Sequence, residues 1–485
     1  MKVLIVGAGI GGLSAYISLN KHLQPHLPSL SVRIVEAHET LSDSKAGPLA
    51  SASTIVGSGL GLAPNGLRAI HSLSPQAAKY IMDRGFLDGA SRMTFRNSSG
   101  QKLGVFSAGN KDRYGGFGMV MVSRAVVFES LLQAFEQYGK GDKVEWGRKV
   151  VAVVELGAEG VQVEYADGAK EVVDLVVGAD GVRSRVRDSL FKGKYPAESD
   201  GLMGAGGFIP VSLLPQTLKD SLLSEGKDEE GVVMTFGAKG FFGYSLCTPR
   251  SAPNEQVPHG PILQWWAIYE TSQTSFTSSR PKTITEANDI KEKLLGLYGT
   301  WKSPADEKES VYRSIIELGC VSEEVADTLA YHHTPVLLLP RYVVPRRLES
   351  YTTPSKSGRI ILLGDAAHAM PPDSGQGVSC ALEDAVVYAL LLAKYQAREG
   401  QETVSENVLR KSAAAYNDLR MPRVGKILDI AKYNGDSKKE KGVIGRWFRD
   451  LTMRVVCFMP ESFRDSAFDF GYEPEKVVEN YLSSN

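Results

Sequence analysis

The sequence predicts an α/β protein in which a parallel-sheet domain is interleaved with an antiparallel-sheet domain and followed by a helical tail. A glycine-rich turn follows a short apolar run at the N-terminus. Two more apolar runs, near residues 175 and 360, end in glycine and aspartate, and aromatic-rich alternating runs lie between them. Buried parallel strands appear as continuous apolar runs, whereas alternating runs are typical of antiparallel strands.

The N-terminal segment KVLIVGAGIGGLSAYISL has the order of a nucleotide-binding unit. An apolar run at 2–6 predicts a strand, and apolar residues at helical spacing follow. Gly7 permits a tight turn, Gly9 lets a pyrophosphate approach the backbone, and Gly12 lets helix and strand pack closely. The N-terminus of the helix then supplies free N–H groups and a favourable dipole for phosphate.

A second apolar run, SVRIVEA, ends at Glu36, where a ribose-binding carboxylate is expected. The charge of Glu36 would repel a 2′-phosphate, so the Rossmann-type unit predicts bound FAD or NAD rather than NADP. The glycine-rich turns further downstream favour FAD, because an NAD dehydrogenase does not need them. The alternative is a glycine-rich turn without a ligand.

Two further segments are predicted to return to this site. In MVSRAVVFESLLQAF, Ser123 is a candidate N-cap. Arg124 lies in the first helical turn, where its side chain can project toward a nucleotide, and a solvated surface arginine is the alternative. In VEYADGAKEVVDLVVGADGVRSRVR we expect a hairpin turn at 167–168, then a strand over 172–177. Asp180 follows the end of that strand, where α/β proteins bind ligands, but an Asp-Gly turn is an equal alternative.

The segment RIILLGDAAHAMPPDSGQGVSCALEDA repeats this arrangement. After a strand at 360–363, Asp365 is positioned to accept hydrogen bonds from a hydroxyl chain such as the ribityl of a flavin. Gly375 and Gly377 leave room for a flat ring against the main chain. A helix from about Val378 presents its positive end to that ring, which would stabilise the negative charge of a reduced flavin.

The amino-acid composition limits the kinds of partner that the protein is expected to bind. The 485 residues are 43% hydrophobic and carry a formal net charge of -1, which gives no attraction toward nucleic acid. The four cysteines are scattered, which argues against a disulfide framework or a zinc site, and we expect no metal. Thiols that stay reduced favour a reducing compartment, so we expect a cytoplasmic protein.

We predict no transmembrane segment, because no window of about 18 apolar residues is uninterrupted. The segment 442–460 is basic and amphipathic. It is expected to dock on the body of the protein, with weak contact to a membrane surface as the alternative.

Together, these segments resemble the class A flavoprotein monooxygenases, the group of p-hydroxybenzoate hydroxylase and of many fungal secondary-metabolite oxygenases. The resemblance rests on GxGxxG with Glu36, on the DG motif near Asp180 and on the GD motif at Asp365, together with APNGLRAI and SRAVV. It implies non-covalently bound FAD. The expected cofactor-binding positions are Gly7, Gly9, Gly12, Glu36, Gly57, Arg124, Asp180, Asp365, Gly375, Gly377 and Val378.

The resemblance also implies the reaction. NADPH or NADH would reduce FAD, and O2 would form a flavin C4a-hydroperoxide that hydroxylates or epoxidises an electron-rich apolar or aromatic small molecule, in secondary metabolism. An FAD-dependent oxidase or dehydrogenase on the same scaffold is the alternative, and a non-catalytic flavoprotein is a further one. Between Arg187 and Arg250 the chain has no arginine, which argues against a phenolate-binding arginine there.

The implied domains are discontinuous. We expect the FAD-binding domain at 1–75, 120–200 and 335–395, the substrate domain at 76–119 and 201–334, and a helical region at 396–485.

In the substrate domain, Tyr244 is the candidate catalytic residue, and core packing is the alternative for each aromatic ring. Asp373 departs from the family pattern; it could tune the flavin, but we expect it to face solvent.

Overall fold

The computed structural model describes residues 1–39, 59–87, 89–139, 141–224, 231–258, 260–272, 280–326, 334–353, 357–463 and 469–484. Gly57 lies outside the described residues, so its expected contact with the cofactor stays a prediction. The strands are β1 (Lys2–Val6), β2 (Ser31–Val35), β3 (Gly59–Leu62), β4 (Arg92–Asn97), β5 (Lys102–Ser107), β6 (Val120–Ser123), β7 (Val150–Glu155), β8 (Val161–Tyr165), β9 (Lys170–Val173), β10 (Leu175–Gly178), β11 (Glu198–Pro210), β12 (Val232–Phe236), β13 (Phe241–Leu246), β14 (Ile262–Glu270), β15 (Leu337–Val343) and β16 (Ile360–Leu362).

The helices follow the same order along the chain. They are α1 (Ile10–His22), α2 (Pro64–Leu73), α3 (Pro75–Arg84), α4 (Arg124–Tyr138), α5 (Arg185–Phe191), α6 (Gln216–Leu223), α7 (Ile284–Tyr298), α8 (Val311–Gly319), α9 (Glu323–Ala326), α10 (Asp365–His368), α11 (Gly377–Glu399), α12 (Glu406–Asp436), α13 (Val443–Phe458) and α14 (Pro474–Ser484). None of these described helices has the length and apolar character needed to cross a membrane.

The first sheet confirms the predicted interleaving. Its strands run in the order β16-β10-β1-β2, and every neighbouring pair is parallel. The carboxyl ends of β1 and β16, which are more than 350 residues apart in the chain, therefore lie on the same side of one sheet. Most residues of these strands are buried, and α1, α4 and α11 contribute buried residues to the same core.

The segment after the 167–168 turn differs from the prediction. The sequence predicts one strand over 172–177, but the chain forms two strands in two sheets. β9 pairs antiparallel with β8, whereas β10 pairs parallel with β1. Asp174 separates them, and its carboxylate accepts a hydrogen bond from the Lys2 backbone N–H at 2.6 Å. The apolar pattern of residues 172–177 cannot reveal that its two halves pair with different strands.

The second large sheet has the order β15-β11-β14-β13-β12-β4-β5. Its pairs are antiparallel except for β12 with β4. β4 and β5 come from the predicted range 76–119, and most other strands come from 201–334. β15 also pairs into this sheet, although it falls in the range 335–395 assigned to the other domain. The bounds of the two domains stay a prediction.

Candidate cofactor site and facing sheet

The turn after β1 has the geometry of a phosphate site. Gly7 has φ +101°, and a Cβ there would lie 2.5 Å from the Ala179 carbonyl oxygen. A Cβ on Gly12 would lie 1.8 Å from the Gly7 oxygen, so close packing requires both glycines. At Gly9, the N-cap of α1, an added Cβ would meet no described atom within 4 Å. The first-turn N–H groups of α1 are thus approachable, as a pyrophosphate requires.

Glu36 lies directly after β2 and next to this turn. Its carboxylate accepts hydrogen bonds from the Ala8 N–H at 2.9 Å and from the His38 N–H at 3.0 Å. The residue is only half-buried and is thus partly exposed to solvent. This position beside the glycine turn suits the predicted contact with a ribose.

Asp180 follows β10 and has local partners. Its carboxylate accepts hydrogen bonds from the Ser184 hydroxyl at 2.5 Å and from the Arg185 N–H at 2.7 Å. Burial raises the pKa of Asp180, and these hydrogen bonds act in the opposite direction. The contacts hold the turn before α5, as the Asp-Gly turn interpretation expects. A role of Asp180 toward a cofactor stays a prediction.

Asp365 and Arg124 act on each other electrostatically. Asp365 begins α10 and is exposed, whereas Arg124 begins α4 and is half-buried. Burial lowers the pKa of the Arg124 guanidinium, and the negative charge of Asp365 opposes that shift. Ser123 accepts a hydrogen bond from the Val126 N–H, which confirms the predicted N-cap of α4.

Arg187 is a residue that sequence reasoning missed. Its buried guanidinium donates hydrogen bonds to the carbonyl oxygens of Val182 at 2.6 Å, Tyr195 at 3.0 Å and Ala366 at 3.1 Å. It therefore ties the turn after β10 to the turn after β16. Three arginines occur within 183–187, and nothing in their spacing distinguishes the buried one.

The loop before α11 leaves open space beside the positive end of a helix. Gly375 has φ +64°, and a Cβ there would meet no described atom within 4 Å. At Gly377, where α11 begins, an added Cβ would meet only the Met370 side chain, at 4.0 Å. α11 thus starts one residue before the expected Val378, which is half-buried in its first turn. The open space is compatible with the expected approach of a flat ring, and contact of these glycines with a cofactor stays a prediction.

Behind this loop, Asp384 fixes the turn that carries Asp365. It accepts a hydrogen bond from the Gly364 N–H at 3.0 Å and lies 2.6 Å from His368 Nε2 and 2.7 Å from Arg420 Nε. Burial raises the pKa of Asp384, but His368 and Arg420 outweigh it and lower the pKa to about 2. The carboxylate is charged at neutral pH and holds the turn.

The neighbouring Glu383 explains the APNGLRAI motif. Its carboxylate accepts hydrogen bonds from Asn65 Nδ2 at 2.7 Å and from Arg423 Nη2 at 2.7 Å, and it pairs with Arg420 at 2.9 Å. Asn65 also donates to Gln376, the residue before α11, at 3.0 Å. The motif thus connects α2 to the start of α11 through a buried polar network.

The expectation that Asp373 faces solvent is wrong. Its side chain is fully buried and pairs with Arg341 Nη2 at 2.5 Å and Lys438 Nζ at 2.7 Å. Arg341 also pairs with Asp200 at 2.6 Å. Burial raises the pKa of Asp373, but the two cations outweigh it and hold the pKa below its ordinary value. The sequence could not reveal this pairing, because the cations lie 32 and 65 residues away along the chain.

The antiparallel sheet divides its aromatic residues between two faces. Tyr244 is buried, and its ring centroid lies 6.3 Å from that of Tyr312 on α8. Trp265, opposite Tyr244 on the next strand, belongs to the same core. Trp266 points to the other face, because successive side chains of a strand alternate. Tyr244 therefore lies on the helix-covered face, and its catalytic role stays a prediction.

The face with Trp266 also carries a buried polar pair. Gln264 Nε2 donates a hydrogen bond to the Ser245 hydroxyl at 3.0 Å. No donor among the described residues reaches Gln264 Oε1. A Cβ on Gly59 would lie 1.5 Å from that oxygen, so this face of the sheet contacts β3. β3 pairs with β6, the strand before Arg124, and so connects the sheet to the predicted nucleotide-binding side.

Comparison with known proteins agrees with this geometry. A family model described as an FAD binding domain matches residues 344–417, which include the Asp365 turn, the Gly375 loop and α11. The chain is 26% identical over 454 residues to a salicylate hydroxylase of Pseudomonas putida, covering 90% of this chain and 86% of that protein. It is 25% identical to an aurachin C monooxygenase/isomerase of Stigmatella aurantiaca, covering 94% of each.

Solved structures share the fold. The crystal structure of CtdE in complex with FAD and substrate 4 superposes with a TM-score of 0.68 at 18% identity, and all of both chains is covered. Klebsiella pneumoniae HpxO complexed with FAD and uric acid gives a TM-score of 0.66 at 19% identity, covering 100% of this chain and 96% of that chain.

Proposed function

We propose that this chain, an FAD-dependent oxidoreductase that belongs with the class A flavoprotein monooxygenases, inserts one oxygen atom of O2 into an electron-rich apolar small molecule. The electron donor in this proposal is NADPH or NADH. The observation that carries it is the open space at Gly375 and Gly377, beside the N-terminus of α11. When bound there, FAD would supply the reducing equivalents that activate O2.

The residues of the chain have separable tasks in this proposal. The α1 N-terminus binds the pyrophosphate, and Glu36 accepts hydrogen bonds from the ribose. Asp365 binds the ribityl chain and is held in place by Asp384. The positive end of α11 stabilises negative charge on the reduced ring. Each task is a binding or positioning task, so the oxygen chemistry belongs to the cofactor.

The substrate in this proposal occupies the space between the Gly375 loop and the face of the sheet that carries Trp266. Lys438 supports this assignment because it joins the two: it pairs with Asp373 of the loop and lies 4.2 Å from the ring centroid of Phe241, next to Trp266. An apolar wall excludes water, which protects reactive oxygen species from unproductive breakdown. Proteins similar to this chain include a salicylate hydroxylase and a zeaxanthin epoxidase, so the proposal covers both hydroxylation and epoxidation.

Oxygen incorporation tests the function. The FAD-loaded protein would be supplied with NADPH or NADH and 18O2 and screened against aromatic and polyene compounds. We expect substrate-stimulated oxidation of the nicotinamide and one 18O atom in the product. Oxidation of a compound that yields an equal amount of H2O2 without consuming nicotinamide and without incorporating 18O would support the oxidase alternative. No oxidation of the nicotinamide or of any compound would favour a non-catalytic flavoprotein.

A cytoplasmic location also belongs to this proposal. It rests on the cysteines at 247, 320, 380 and 457, none of which forms a disulfide within the described part of the chain. Cysteines that stay reduced are typical of proteins in reducing compartments.

A further inference from the structure

Helix α13 exposes an apolar face. Seven apolar side chains on it have exposed fractions between 42% and 88%. At about 100° per residue they fall within an arc of about 140° around the helix axis. They are Val443, Ile444, Trp447, Phe448, Leu451, Val455 and Phe458. Contiguous exposed apolar surface of this kind marks an interaction site rather than ordinary surface.

The opposite side of α13 fixes its orientation. Arg449 is buried and donates a hydrogen bond to the Gly237 carbonyl oxygen at 2.7 Å. Cys457 packs against Gly104 of β5, where a Cβ would lie 2.5 Å from the cysteine Cβ. The helix therefore docks on the body, as the sequence predicts, but through its side with Arg449 and Cys457. The apolar arc points away from that contact.

The charge of this segment indicates the partner. Residues 439–458 hold five basic and two acidic residues, a formal charge of +3 in a chain of net charge -1. A second copy seated on the same face would bring two such segments together, and their like charges would repel. Anionic lipid headgroups complement the charge, and Trp447 and the phenylalanines suit the boundary between headgroups and acyl chains.

We propose that α13 lies in the surface of an anionic lipid bilayer, with its apolar arc among the acyl chains and the basic residues of the segment other than the buried Arg449 among the headgroups. The proposal goes beyond the oxygenase function and does not depend on it. Membrane association is measured without turnover, so failure of one proposal leaves the other intact.

Vesicle co-sedimentation of the FAD-loaded full chain tests this. We expect binding to phosphatidylcholine vesicles containing phosphatidylserine, and weaker binding without phosphatidylserine or at about 0.5 M salt, a concentration that shortens the Debye length to about 4 Å. The double variant Trp447→Glu/Phe458→Glu should lose at least about tenfold in partitioning. The matched control is Leu213→Glu/Tyr433→Glu, which places charge at apolar residues exposed elsewhere and should bind as the unmodified chain does.

Retained FAD and an unchanged circular dichroism spectrum would show that each variant folds. Equal binding by the two double variants would overturn the proposal, as would absence of binding by the unmodified chain to both vesicle types. A concentration-dependent dimer that Trp447→Glu/Phe458→Glu abolishes, without lipid binding, would also overturn it and assign the arc to a second copy.

Discussion

The buried ion pairs of Asp373 give a quantitative prediction for Asp373→Asn. Breaking a buried pair by removing one partner costs about 3–5 kcal/mol, because the other charge stays buried. Here Asp200 still pairs with Arg341 at 2.6 Å, which limits the loss. Burial also lowers the pKa of Lys438, so without Asp373 this amine can lose its proton more easily. We therefore expect Asp373→Asn to lower the free energy of unfolding by about 3 kcal/mol, the lower end of that range.

Urea unfolding of the FAD-loaded protein measures this loss. The matched control is Asp436→Asn, whose ion pair with Lys439 has the same 2.7 Å separation but side chains 51% and 41% exposed. An exposed pair contributes at most about 1 kcal/mol. A second variant, Asp373→Asn/Lys438→Met, removes the unpaired amine and should regain part of the loss. Equal destabilisation by Asp373→Asn and Asp436→Asn would refute the reasoning.

The same pair predicts a pH dependence. The folded pKa of Asp373 lies below its ordinary value, so its contribution to stability is present above the unfolded pKa, about 3.9. The contribution is lost as the pH falls through the folded pKa. The difference in unfolding free energy between the unmodified chain and Asp373→Asn should thus be steady from about pH 5 to 7 and shrink below about pH 4.

Three further substitutions and one control variant test the site. Gly7→Ala should abolish FAD retention, because its Cβ would lie 2.5 Å from the Ala179 carbonyl oxygen. The control is Gly181→Ala, which is also at positive φ but has no described atom within 4 Å of the added Cβ. It should lower the free energy of unfolding by only about 1–2 kcal/mol. Glu36→Arg should weaken FAD binding at least about tenfold in a fluorescence titration, and full FAD content would contradict the ribose assignment. Tyr244→Phe keeps the ring against Tyr312, so kcat should stay within about threefold; a loss above about 100-fold would instead support Tyr244 as the catalytic residue.

Local patterns predicted the strands and turns of the candidate cofactor site. The glycine spacing at 7, 9 and 12 and the apolar runs at 2–6 and 360–363 have short-range causes, namely strand burial and turn geometry. The split between β9 and β10 was not predictable, since both halves are apolar and only their partners differ. Asp373 and Arg187 were missed because their partners are remote in sequence or belong to the backbone.

The order of strands in the parallel sheet has a consequence for synthesis on the ribosome. β1 and β2 are made first, but β10 appears only after residue 174 and β16 only after residue 359. Arg420 and Arg423, which support the loop before α11, appear later still. β1 therefore waits for β10 until residue 178 has been made, and β10 waits for β16 until residue 362, and such unpaired edges are prone to aggregation. Insertion of FAD is expected to be a late event, after the chain has passed residue 423.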